Sequence, residues 1–320
     1  MGGNVFAHHV PPIPTPRMSP AIYNLVLADT LIGLRSLFKH VQSPIEAPGK
    51  RDYGDVDVFV CEQLTTGTDY CVSPAALMTA LNGIAVVTSS AKNTLHVAVE
   101  WPSDLTIEDS HQNPHFAQID VTIFLDHDQF EWDLFHHAHG DLWSILGGVI
   151  RPYGLTVSRI PCWFHHIIAK ISEVNNHGLN IRIPEIEKLD KKKSMIRLTK
   201  RPHEALKFLG YDEAQITEYW TGFKSIIDMF SFVVSCRLFS TNELVEIEKH
   251  GTVNSEQDEE NPRQNHREQK RLVTRALYRI WAEDFLPDMA QQGINKPSTW
   301  TRESIRNDAL ESFAAAGIYE

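Results

Sequence analysis

Gly54-Asp55-Val56-Asp57-Val58-Phe59-Val60 is the stretch on which the reading of this chain turns. In an extended segment side chains alternate between faces, so Asp55 and Asp57 project to one side while Val56, Val58 and Val60 form a buried spine on the other. A second stretch of the same texture, Ile119-Asp120-Val121-Thr122-Ile123-Phe124, sets a third carboxylate among apolar residues. Carboxylates in such surroundings are costly to desolvate unless a cation lies between them. If the two strands are neighbours, the three carboxylates meet, and an oxygen-only donor set suits a hard cation, Mg²⁺ or Mn²⁺, rather than zinc. Two such ions about 3.5–4 Å apart clamp the attacking and leaving oxygens in phosphoryl transfer.

A plainer reading stands beside this one. Acidic residues are common in turns ahead of strands, and Asp52-Tyr53-Gly54-Asp55 has the composition of such a turn. On that reading the aspartates merely cap strands in an interaction protein. The order of the elements separates this chain from nucleotide-sugar glycosyltransferases, where an Asp-x-Asp follows its apolar strand; here it precedes one.

Upstream, Ser19 to Lys39 carries apolar residues at helical spacing (Ile22, Leu25, Val26, Leu31, Leu34, Leu37, Phe38), with Ser19-Pro20 as cap and first turn. Val41-Gln42-Ser43 follows, then Gly49-Lys50-Arg51 and the aspartates. In this order of parts the chain resembles the DNA polymerase beta-like nucleotidyltransferase superfamily: a hydrophobic-Gly-Ser element, an Asp-x-Asp on a strand some ten residues later, and a lone Asp on a later strand. The resemblance implies that Asp55, Asp57 and Asp120 are catalytic and hold a two-ion Mg²⁺ or Mn²⁺ site. It implies that Ser43, Lys50, Arg51, Gly54 and His136 contact the nucleotide, and that an NMP passes from an NTP to an acceptor hydroxyl with release of pyrophosphate. The acceptor could be a small molecule, an RNA end or a protein. Gln42 stands where the family has the glycine that lets backbone approach a triphosphate, a departure that leaves room for a catalytically quiet, nucleotide-binding relative. Lys50 and Arg51 either compensate with charge or are solvated surface.

Similarity to nucleotidyltransferase-like proteins of phages and fungi extends, in weaker form, through Trp132 to Leu155, Leu198 to Asp212 and Ile226 to Phe239. The expected fold is accordingly α+β: a nucleotidyltransferase core with a mixed sheet over residues 19–150 and a mainly helical region over 151–320. An extended strap over residues 1–18 precedes the core, since Pro11, Pro12, Pro14 and Pro16 favour extended backbone. The polar run 248–267 reads as a mobile loop. Within the core, Ser73-Pro74 opens a predicted helix through Val87 and Thr94 to Trp101 alternates as a strand. Farther on, strands are predicted at Ile181 to Ile183 and Met195 to Leu198. Helices are predicted at Pro202 to Phe208, Asp212 to Trp220 and Ser225 to Phe239, and a last one at Gln269 to Phe285.

With 320 residues and 42% hydrophobic content, the chain can bury a sizeable core. No run approaches the roughly 20 apolar residues of a membrane span, so no membrane partner is expected. The N-terminus lacks a secretory signal, and Phe6 stands where a myristoylation signal wants Ser or Thr; an intracellular protein is expected. Cys61, Cys71, Cys162 and Cys236 show no paired spacing and read as reduced thiols. A net charge of −11 argues against broad, nonspecific nucleic-acid binding, which depends on neutralising phosphates. The basic cluster between Lys188 and Arg201 is the exception, as solvated surface or a local nucleic-acid contact. Among the sixteen histidines, His136, His137 and His139 crowd beside Asp141 without zinc-motif spacing, so His139 and Asp141 read as polar-core or helix-capping residues.

Overall fold

Ser19 starts the first helix as its sequence requires. Its Oγ accepts from the Ile22 N–H at 3.4 Å, and Pro20 fills the first turn, where an N–H would have no intrahelical partner. The helix, α1 (Pro20–Arg35), stops short of the predicted Lys39; Phe38–Gln42 is instead strand β1, with Phe38 and Val41 buried. A second helix, α2 (Pro74–Leu81), likewise ends before the predicted Val87. Asn82 takes a left-handed turn at φ 48°, and the β-branched run that follows enters a strand, Gly83–Ser89. In both places apolar spacing continued past the helix because the next strand also needed a buried face.

The structure, a computed structural model, describes residues 3–64, 72–89, 93–102, 115–158, 177–188, 194–241, 270–294 and 296–313. The described chain forms two compact units, dividing between His137 and Ala138. Helix Leu142–Ile150 therefore belongs to the second unit, although it lies inside the 19–150 span expected for the core. The predicted mobile loop 248–267, Cys71, Cys162 and Lys191 to Lys193 lie outside the described residues.

The first unit is α+β. Its sheet joins β1, β2 (Val56–Gln63), β3 (Gly83–Ser89), β4 (Thr94–Glu100) and β5 (Phe116–Phe124) in the order β1-β2-β5-β4-β3. It is mixed: β2 and β5 run parallel, and the other pairs are antiparallel. Alternation sorts the side chains. Val56, Val58 and Val60 of β2, Leu95, Val97 and Val99 of β4, and Ala117, Ile119 and Val121 of β5 share one core with Ile22, Val26 and Leu34 of α1 and Leu77 and Leu81 of α2. Burying each larger aliphatic side chain contributes about 1.5–3 kcal/mol. On the other face Phe59, Cys61 and Phe124 pack against Phe130 and Leu134 of α3 (His127–His137). Farther along that face Phe6 of the N-terminal segment packs on Ala85 and Ala98. Between those two coverings lie the aspartates.

The second unit holds a three-stranded antiparallel sheet, β6 (Leu155–Ser158), β7 (Gly178–Arg182) and β8 (Met195–Thr199), with β7 central. Its helices are α4 (Leu142–Ile150), α5 (Pro202–Phe208), α6 (Glu213–Thr221) and α7 (Ile226–Ser235). Of these, α5, α6 and α7 start at the predicted positions, with Asp212 and Ser225 as caps, but α7 ends at Ser235, before the predicted Phe239. The predicted last helix is interrupted: Ala276–Arg279 is α-helical, Ile280–Phe285 winds as π-helix, and Leu286–Gln291 returns to α. One more helix, Arg302–Ser312, follows, unforeseen because its face toward the core is only Ile305 and Ala309. His139 is fully buried in this unit, its Nε2 bonded to the Tyr219 carbonyl at 2.8 Å, which meets the expectation of a polar-core residue.

No helix among the described residues is long and apolar enough to cross a membrane.

Candidate functional site

The strand register assembles the site. Asp57 on β2 stands directly opposite Asp120 on the parallel neighbour β5, and Asp120 stands opposite His96 on β4. Opposed residues share a face, so Asp57, Asp120 and His96 form a row across three strands, each roughly 5 Å from the next. Asp55 joins from the turn ahead of β2. That turn is held by the N-terminal segment: Arg17 pairs with Asp52 at 2.6 Å, and Met18 and Tyr53 exchange both backbone bonds, at 2.7 and 3.0 Å.

Charge in this row is poorly balanced. Asp57 is accessible to solvent yet ringed by protein, and its carboxyl is pushed up to about 7. Desolvation is the largest cause, followed by repulsion from Asp55, Asp120 and Glu46, with Lys50 partly opposing. The Asp55 carboxyl is also raised, first by desolvation and then by Asp120. Lys50 and the Gly3 N–H act in the other direction there. These carboxylates thus face Lys50, whose ammonium is 2.7 Å from Glu46, over the Tyr53 ring. Asp120 is held differently. Its Oδ1 is 2.7 Å from His96 Nδ1 and accepts from Gln118 Nε2 at 2.8 Å.

Of the residues the sequence singled out, Asp55, Asp57, Asp120, Lys50 and Gly54 come together. Gly54 is buried beneath Gly3, while Arg51 is exposed. Ser43 follows β1 beside the Tyr23 hydroxyl, which donates to Glu46 Oε1 at 3.2 Å. Burial, then Glu46, pushes the Tyr23 hydroxyl well above its usual range. Gln42 is exposed at the end of β1. His136 is in the last turn of α3, its ring centroid 6.1 Å from that of His137, which in turn lies edge-on to Phe59. A cavity of about 600 Å³ opens beside β1, lined by Arg35, Lys39, His40, Gln42, His127 and Phe130 among others, with none of the aspartates in its wall.

Sequence reasoning missed His96, Gln118, Glu46 and Tyr23. Two of these had a signal. His96 is the polar residue between Leu95 and Val97, and Gln118 sits two before Asp120, so strand alternation alone puts both on the aspartate face. Glu46 and Tyr23 had none, because the loop and helix that carry them meet the strands only in three dimensions.

The donor set is one a hard divalent cation takes, carboxylate oxygen on the face of a rigid sheet with negative charge in excess. The side chains are not drawn into a closed cage: no group of three or more His, Cys, Asp or Glu residues among those described converges tightly enough to grip an ion. Repulsion among the carboxylates and the commitment of Asp120 Oδ1 to His96 and Gln118 both act against convergence.

No protein-family model matches this chain, and no curated protein is similar to it.

Proposed function

We propose that the chain is a metal-dependent nucleotidyltransferase built on a DNA polymerase beta-like core, transferring an NMP from an NTP to an acceptor hydroxyl and releasing pyrophosphate. The observation that carries this reading is the in-register pairing of Asp57 with Asp120 on parallel strands, with Asp55 beside them in a surplus of negative charge. A pure strand cap has no need of an opposed carboxylate. The placement is costly unless it serves a cation.

Asp55, Asp57 and Asp120 are the residues that would hold Mg²⁺ or Mn²⁺, which when bound supplies Lewis-acid stabilisation of charge on the phosphoryl oxygens. Lys50 and Ser43 are the groups that would contact phosphate oxygens. Asp120 is the base best placed for the acceptor proton, and His96 and Gln118 hold its carboxylate in one orientation.

A catalytically quiet, nucleotide-binding form of the same site is the second reading. It is favoured by Gln42 in place of glycine and by the engagement of Lys50 with Glu46. Thermal melts of the native chain and of the Asp55→Asn/Asp57→Asn variant, with each NTP and with or without Mg²⁺ or Mn²⁺, test both readings. The expected result is a metal-dependent rise with an NTP, lost in the variant; ligand at a hundred times its Kd stabilises by about 2.7 kcal/mol. Turnover then separates the two readings. No rise with any NTP would return the aspartates to strand caps.

A further inference from the structure

The N-terminal segment does more than cover the sheet. Phe6 is fully buried against Ala85 and Ala98, with Val5, Ile13 and Val87 packed around it, which anchors the segment to the face that carries the aspartates. From that anchor two backbone amides reach the site. The Gly3 N–H lies beside the Asp55 carboxylate and favours its charged form. The Val5 N–H donates to Gln118 Oε1 at 3.0 Å, and Gln118 Nε2 donates to Asp120 Oδ1 at 2.8 Å.

The second path has a polarity that the segment dictates. A backbone N–H can only donate, so Gln118 must turn its oxygen toward Val5, which leaves its NH₂ facing Asp120. Gln118 is buried, and without Val5 its amide could turn over and set an oxygen against the carboxylate. The first path depends on glycine. Gly3 has φ +81°, and a Cβ there would lie 2.2 Å from the Gly54 carbonyl oxygen, so only glycine lets the chain pass this close to the turn before β2. Thr15 Oγ1 donates to the Gly3 carbonyl and fixes the segment from its other side.

We propose that Gly3–Phe6 is a positioning element of the carboxylate site, the Gly3 amide orienting Asp55 and the Val5 amide, acting through Gln118, orienting Asp120. This rests on the reading of the aspartates as cation ligands. Groups behind metal ligands typically change affinity by about 10- to 100-fold when removed.

The test combines amide hydrogen exchange with Mn²⁺ binding followed by electron paramagnetic resonance, on the full chain and its Gly3→Ala, Gln118→Met and Asp55→Ala variants. In the native chain the Gly3 and Val5 amides are expected to be protected. Asp55→Ala exposes the first alone and Gln118→Met the second alone, a selectivity that general loosening would not produce. Mn²⁺ affinity is expected to fall about tenfold in Gly3→Ala and Gln118→Met. Unprotected amides in the native chain, or native Mn²⁺ affinity in both Gly3→Ala and Gln118→Met, would overturn the proposal. A native chain that binds no Mn²⁺ while both amides are selectively protected would sustain the orienting contacts and defeat the cation reading instead.

Discussion

Glu187 and Asp57 are both carboxylates set among protein atoms, and they live under opposite charge balances. In the second unit Glu187 is held by Arg182 at 3.1 Å and by Arg302. Desolvation works against its charge, yet the two arginines hold its carboxyl below the usual carboxylate range. In the first unit Asp57 also meets desolvation, and its neighbours Asp55, Asp120 and Glu46 add to the cost. Glu187 ties a helical turn (Pro184–Glu187) to the helix Arg302–Ser312, and its charge is spent on structure. The charge at Asp57 is opposed by three carboxylates and favoured only in part by Lys50, the balance that the proposed function expects of a group kept for a ligand.

The largest effect should come from the uncompensated site. Asp57→Asn and Asp120→Asn are each expected to lower nucleotidyl transfer by about a hundred- to a thousandfold, measured as pyrophosphate release with Mg²⁺. Without divalent ions, Asp57→Asn should melt at or above the native temperature, since it removes repulsion. A clear loss of stability in that variant would mean that Asp57 is structural after all, and the contrast with Glu187 would collapse.

Acid should pull the two units in opposite directions. A carboxyl raised to about 7 in the fold holds its proton more tightly than in the unfolded chain. Asp57 therefore costs stability as pH rises from about 4 to 7 and restores it as pH falls through that window. His139 behaves in reverse. Burial pushes its imidazole down to about 4, with the bond to the Tyr219 carbonyl partly opposing. Its contribution, about 3 kcal/mol, is present above the unfolded value near 6.5 and disappears as pH falls through 4. Exchange protection followed residue by residue between pH 7.5 and 4 should show the second unit loosening before the first. Divalent-ion affinity at the aspartates should weaken over the same descent, as protons compete at Asp57. Simultaneous loosening of both units would count against the assigned environments of Asp57 and His139.

Breaking a compensated group should cost a middling amount. Glu187→Gln leaves two arginines facing a neutral amide and is expected to lower stability by about 1–3 kcal/mol in a denaturant titration, with no change in divalent-ion affinity. The smallest effect is reserved for Gln42. Gln42→Gly frees the backbone at the end of an edge strand and should alter stability by less than about 1 kcal/mol. If the nucleotide reading holds, it should tighten NTP binding; an unchanged affinity would separate this chain from its resemblance at that point.

The legibility of the chain followed the range of the interactions involved. The faces of β2, β4 and β5 could be read from alternation, and the cap at Ser19 from a serine ahead of a proline, because both depend on near neighbours. The ends of α1 and α2 could not, since Leu37, Phe38 and the run Ile84 to Val87 are apolar in a way that suits either element; tertiary pairing decides. Asp55, Asp57 and Asp120 were visible as expensive residues in cheap surroundings. The contributions of Glu46, Tyr23 and the Gly3 and Val5 amides were not, because a backbone N–H leaves no trace in a sequence.

The parallel pairing of β2 with β5 carries a further consequence for the order of events in folding. Asp57 and Asp120 become neighbours only across a closure that spans α2, β3 and β4, and parallel contacts of such long range form late and slowly. Until that closure the carboxylates are apart and their repulsion is not felt. Charge-removing substitutions there should leave the early folding rate nearly untouched and act instead on how long the finished molecule survives.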